Sequence, residues 1–205
     1  MLDIFLPALT TLFVVVDPLG LMPMFAVMTS GGDRAYRRSM AVRGTLIATV
    51  VLLLFAFAGE HILDFLGITI SAFRIAGGLL LFVTAFEMIF EFRNKRRSHT
   101  AETAQKPIPE DISVFPLAIP LLSGPGAITS IILLTASQDG NWAGMALVIA
   151  ALIIVMGVSF LLFLLSGRLM AALGPTITMV ITRLLGVILA ALATQFIIDG
   201  IKSAA

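Results

Sequence analysis

Cysteine is absent from the 205 residues. That excludes thiol catalysis, thiolate metal ligation and disulfides, and leaves the redox compartment unread. Histidine is almost absent: His61 and His99 stand too far apart to form a helical metal pair. Charge is scarce as well. Asp, Glu, Lys and Arg make up 12% of the chain, against about 25% in a soluble globular domain. The net charge is +1, so nothing in it suggests a nucleic-acid partner. What fills the space is apolar, 59% of residues, with a mean hydropathy of +1.08. A soluble domain of this length would have to cover its outside with polar side chains, and this chain has too few. The bilayer is the solvent that fits.

The opening run MLDIFLPALTTLFVVVDP has no basic region before it and no small-residue cleavage pattern. It reads as a retained first helix rather than a removed signal peptide. Crossing the hydrocarbon core takes about 20 mostly apolar residues. Six stretches qualify, at 4–30, 42–59, 73–90, 112–137, 142–166 and 182–200. Their apolar residues run all round, as lipid contact requires. The expected fold is all-α: a polytopic membrane protein of six transmembrane helices.

Most connections are short. The exception is residues 91–111, charged, polar and proline-containing, which read as a solvated linker between a first unit, 1–90, and a second, 112–205. The two units resemble each other. Leu66-Gly67 matches Leu173-Gly174, and Pro18 matches Pro125, both at an offset of 107; Arg74-Ile75-Ala76-Gly77 matches Arg183-Leu184-Leu185-Gly186 at an offset of 109. Three spans per unit is an odd number, so the second copy enters the membrane from the opposite side. That is an inverted repeat, as in secondary transporters. Lysine and arginine set the orientation. With the N-terminus outside, eleven of them fall on inner segments, and only Arg74 and Lys202 fall outside. Both termini are then expected to face out, with the linker in the cytoplasm. Residues 61–73 and 169–181 recur in each unit and are too short to span, which suggests interfacial or re-entrant connectors.

The first helix is interrupted at mid-length by Asp17-Pro18-Leu19-Gly20-Leu21-Met22-Pro23. Proline removes a backbone donor, glycine permits unwinding, and a carboxylate at mid-bilayer is costly. The fourth helix repeats the device. Pro116 and Pro120 disturb its first half, Ser123-Gly124-Pro125-Gly126 breaks it, and Ala127-Ile128-Thr129-Ser130 opens a second half-helix. Proline favours the first helical position. Asp17 is therefore expected to cap the half-helix at Pro18, and Ser123 or Gly124 the one at Pro125. A half-helix N-terminus at mid-membrane can hold a carboxylate, while an ionised Asp17 can hold an ammonium or exchange a proton. Together the breaks suit a zwitterion. The candidate substrate-binding residues are Asp17, Pro18, Gly20, Ser123, Gly124, Pro125, Gly126 and Thr129, with Glu87 and Gln195 as secondary candidates. The plainer reading is that Asp17 only caps its helix, the glycines only permit close packing, Glu87 pairs with inner arginines and Gln195 bonds across helices. No catalytic residue, metal or cofactor is implied.

The chain resembles the MarC family, also described as the neutral amino acid transporter family. The resemblance rests on Asp17-Pro18-Leu19-Gly20 with Pro23, on Phe73-Arg74-Ile75-Ala76-Gly77-Gly78, on Val114-Phe115-Pro116-Leu117-Ala118-Ile119-Pro120 with Ser123-Gly124-Pro125-Gly126, and on Arg183-Leu184-Leu185-Gly186 with Gln195-Phe196-Ile197. It covers nearly the whole length. It implies a six-span protein of the bacterial or archaeal inner membrane, similar in architecture to the lysine-exporter superfamily. It also implies transport of small neutral amino acids coupled to an ion gradient, proton or sodium. The substrate, the direction and any homo-oligomer stay open. A channel or an exporter of another small solute is the alternative, although no ring of like charge or polar-lined helix is evident. An intramembrane enzyme fits poorly. Ser123 has no histidine in its half, and Asp17 has no second mid-span aspartate.

Overall fold

The computed structural model describes residues 1–90, 111–138 and 140–204, apart from the side chains at 173 and 175. Of the expected linker only Asp111 lies among them. Helices make up most of the described residues, and no strand occurs among them. In chain order they form α1 (Leu2–Val16), α2 (Pro18–Met28), α3 (Arg34–Phe65), α4 (Ile70–Ile89), an irregular α5 (Ser113–Leu122) and α6 (Pro125–Ala136). Two more helices, α7 (Trp142–Ala172) and α8 (Thr176–Ala204), follow. Five spans are long and apolar enough to cross a membrane, with α1 and α2 counted as one; α5 and α6, bent by 57°, make the sixth. Large apolar side chains stand on the outside, among them Leu46, Phe57, Phe65, Phe115 and Leu184. A water-facing monomer rarely carries so much exposed apolar surface. A bilayer makes it the favoured face.

The helices outrun the apolar stretches that announce them. The second span begins at Arg34, capped by Asp33, whose Oδ1 accepts from Tyr36 N–H at 2.7 Å. It ends only at Phe65. Hydropathy stops where charge begins, but helix hydrogen bonding does not. The expectation of interfacial or re-entrant connectors at 61–73 and 169–181 is therefore corrected. Most of those residues are the ends of spanning helices, joined by tight turns at Gly67 and Gly174. Both glycines have φ of 69°, a left-handed conformation that costs a residue with a Cβ. The Leu-Gly pair that recurs in sequence recurs with the same left-handed glycine.

Close packing shows which way the spans run. Methyl groups at Gly44 and Gly59 of α3 would run into Leu117 and Ile132 respectively, so α3 lies parallel to the α5–α6 span. A methyl at Gly78 would stand 2.6 Å from Ile197 Cγ1, and one at Gly200 2.7 Å from Ile75 Cγ1, so α4 and α8 are antiparallel. Three spans per unit require both directions, and the packing is consistent with an inverted repeat. One end of the bundle is tied by Arg43 and Asp111, 2.9 Å apart. The other is tied by Ser71 Oγ donating to Ser203 O at 3.4 Å.

Candidate functional site

The first break is one residue long. Asp17 sits in the left-handed region (φ 52°, ψ 60°), ending α1 and capping α2. Its Oδ1 accepts from Gly20 N–H at 3.0 Å. Aspartate tolerates this conformation better than most residues because its short side chain bonds locally. Pro18 follows at the first helical position, where no N–H is needed. Asp17 is fully buried, and it is the one buried charged side chain among the described residues. Gly20 does not unwind the helix. Its role is spatial: a Cβ there would collide with the Asp17 carboxylate. Pro23 is likewise carried inside α2. The expected seven-residue interruption is thus confined to Asp17.

The second break is longer and built from backbone. Phe115 and Ile119 are extended, each precedes a cis proline, and Pro116 and Pro120 deny their residues a donor. Wide turns are closed by Leu117 N–H to Ile112 O at 3.2 Å and Ser123 N–H to Ala118 O at 2.9 Å. The Ser123 hydroxyl also donates to Ala118 O, at 2.9 Å. Ser123 therefore secures the end of α5 and does not cap α6. Gly124 occupies the cap position with no side-chain hydrogen bond to the helix. A methyl on it would stand 2.6 Å from Pro120 O, so glycine is required by a backbone that cannot move aside.

The two breaks are neighbours. A methyl on Gly126 would stand 3.3 Å from Val15 Cγ1 and 3.1 Å from Leu81 Cδ2. The start of α6 thus lies against the end of α1, with α4 behind both. Thr129 is buried, but its methyl fills the notch at Gly77 on α4. Glu87 is half-buried, six residues beyond Leu81 along α4, about 9 Å further along the axis at the usual helical rise. Gln195 is exposed, and its Nε2 donates to Asp199 Oδ1 at 2.8 Å on the same helix. It neither faces the breaks nor bonds across helices. The structure therefore gathers Asp17, Pro18, Gly124, Pro125 and Gly126, and leaves out Gln195.

Sequence reasoning passes over one residue. Ser130 is fully buried, and its Oγ is the one buried side-chain N or O atom among the described residues with no hydrogen-bond partner. Its spacing from Gly126, one helical turn, was the available signal.

Two cavities lie elsewhere. One, of about 270 Å³, opens between the end of α3 and the start of α7, lined by Glu60, His61, Gln138, Asn141 and Trp142 among others. The other, of about 340 Å³, is wholly apolar and lies between α1, α7 and α8. Neither is lined by a residue of the breaks, where Asp17, Ser123, Thr129 and Ser130 are buried, Gly124 and Gly126 are half-buried and Pro125 is exposed. Among the described residues no group of three or more His, Asp or Glu could hold a metal ion.

Residues 2–205 match the family described as MarC family integral membrane protein. The chain belongs to the MarC family. A UPF0056 membrane protein of Archaeoglobus fulgidus is 36% identical over 201 residues, covering 98% of this chain and 93% of its own. The UPF0056 inner membrane protein YhgN of Escherichia coli K12 is 35% identical over 195 residues, covering 95% and 94%. No solved structure is a significant match. In this MarC-family chain, both breaks lie within the matched region, and the protein is an integral membrane protein of several spans.

Proposed function

We propose that this MarC-family protein is a secondary transporter of small neutral amino acids, coupled to a proton or sodium gradient and working by alternating access. One observation carries the reading: two interrupted spans meet, one bringing a buried carboxylate and the other a half-helix start with no side-chain cap. A zwitterion needs both signs of partner. The α6 start offers N–H groups and a positive dipole end to a carboxylate. Asp17 serves the ammonium or carries the coupling proton. A conserved-energy cycle then needs one three-span unit to rock against the other around these residues. In this reading the protein is no enzyme and uses no cofactor.

The test is uptake and efflux of labelled glycine, alanine and serine in vesicles, with proton and sodium gradients imposed separately. Accumulation against a concentration gradient supports the reading. Equilibration without accumulation indicates a channel, and no movement rejects both. We also propose a bacterial or archaeal inner membrane with both termini outside, as the lysine and arginine bias and the similarity to the inner membrane protein YhgN favour. Because the parent has no cysteine, cysteines introduced at positions 2, 204 and 100 give a clean check. An impermeant reagent on whole cells should label the first two only, and labelling of position 100 alone reverses the orientation.

A further inference from the structure

A hydroxyl inside a helix usually donates to the carbonyl four residues back. Thr45, Thr49, Thr84, Thr135 and Ser159 all do so here, at 2.7 to 3.0 Å. Ser130 has the same option in Gly126 O and does not take it, although it is fully buried. An unmet hydroxyl in so dry a place is costly.

Its position says what could meet it. Ser130 lies one turn after Gly126, so the two share a face of α6. Helical side chains lean toward the N-terminus, which here means toward the break. Neighbouring residues mark out the other faces. Thr129 packs on Gly77 of α4, and Ile132 packs on Gly59 of α3. The Gly126 face looks onto Leu81 of α4 and onto Val15, two residues before Asp17. Within α6, the first backbone donor with a helical acceptor is Ile128 N–H, bonded to Gly124 O at 3.0 Å. The N–H groups of Gly126 and Ala127 have no acceptor inside the helix.

We propose that the Ser130 hydroxyl is a ligand of the substrate carboxylate, the third donor beside the Gly126 and Ala127 N–H groups. The proposal rests on the transport reading above. It assigns the carboxylate to the α6 side of the site and gives the buried hydroxyl its missing partner only when substrate is bound.

Thermal unfolding of the purified full-length protein in detergent tests it, with alanine as one probe and ethylamine, which lacks the carboxylate, as the other. Alanine should raise the melting temperature of the wild type and ethylamine should not. Ser130→Ala should melt no lower than wild type without ligand, because it deletes an unmet polar group. Its alanine affinity should fall by about tenfold or more, as for loss of a hydrogen bond to a charged group. A lower unliganded melting temperature would mean that the hydroxyl holds the fold or a buried water, and overturns the assignment. So does an alanine response equal to that of wild type. If alanine fails to stabilise the wild type itself, the transport reading falls and takes this inference with it. A normal wild-type response with an unaltered Ser130→Ala response removes Ser130 alone.

Discussion

At Asp17 the chain breaks for one residue and the two half-helices still form a single 27-residue span; at Ser123–Gly124 it breaks after ten irregular residues and turns by 57°. The chemistry differs as much as the shape. The α2 start is capped by its own carboxyl group, Asp17, whose Oδ1 accepts from Gly20 N–H at 3.0 Å. The α6 start has glycine at its cap and no side-chain oxygen. One half-helix end is already satisfied, and the other is left for something else. The two sites are equivalent in the repeat, since Pro18 and Pro125 share its offset of 107, but they are not interchangeable. In the proposed transport cycle, this difference at the cap position is what assigns the substrate's anion to the α6 start.

The comparison breaks hardest at Gly124. Gly124→Ala pushes a methyl against Pro120 O, a backbone atom, and is expected to destabilise by about 1–3 kcal/mol, as overpacking does. Gly126→Ala meets only the side chains of Val15 and Leu81 and should cost less. Unfolding midpoints of the two variants in one detergent check the order. Equal midpoints would mean that the second break is not held by its own backbone.

Asp17 sharpens it next. Asp17→Ala loses the cap and leaves alanine in the left-handed region, an expected loss of about 2 kcal/mol from the two effects together. Asp17→Asn keeps both the cap oxygen and the tolerance of that conformation, so it should fold like wild type. In the proposed cycle it should nevertheless lose gradient-driven accumulation, because it has neither charge nor proton. Normal accumulation by Asp17→Asn reduces Asp17 to a cap and removes the contrast between the breaks.

The smallest effect is expected at Asp111, just before the segment that leads into the second break. The Ser113 hydroxyl and N–H both donate to Asp111, and the Arg43 guanidinium adds an ion pair; together they hold its carboxyl below its usual 3.8. A folded-state value below the unfolded one stabilises above the unfolded value and is lost as pH falls through the folded one. Both partners are about half exposed, so the ion pair is worth only about 0.2–1 kcal/mol. Asp111→Asn should melt slightly below wild type at pH 6, and the gap should close as the pH is lowered past 3.8. A gap that persists or widens in acid would contradict this account of the pair.

Much of the architecture is legible in the chain because lipid imposes it. A span needs a long apolar run, a break needs proline, glycine or a charge, and a left-handed turn needs glycine; each leaves a trace in residue type. The six spans, the recurrence of the Leu-Gly pair and the cap at Asp17 were readable for that reason; that the pair makes a tight turn between spanning helices was not. What was not readable depends on neighbours in space. Nothing local says that Gly20 exists to admit the Asp17 carboxylate, or that Thr129 fills Gly77 rather than the site. Gln195 looked like an intramembrane polar group, yet its partner is Asp199, one turn away on an exposed face. Ser130 was hidden among residues that merely continue a helix, because an unmet hydroxyl is a property of its surroundings.

The central claim is that the α6 start receives the carboxylate of a small amino acid. Counterflow in proteoliposomes loaded with unlabelled alanine tests it most directly, with alaninamide, which keeps the ammonium and lacks the carboxylate, as competitor against glycine and serine. The account predicts that labelled alanine enters, that glycine and serine block it, and that alaninamide at the same concentration does not. Alaninamide blocking as well as glycine, or no counterflow of alanine at all, would contradict it.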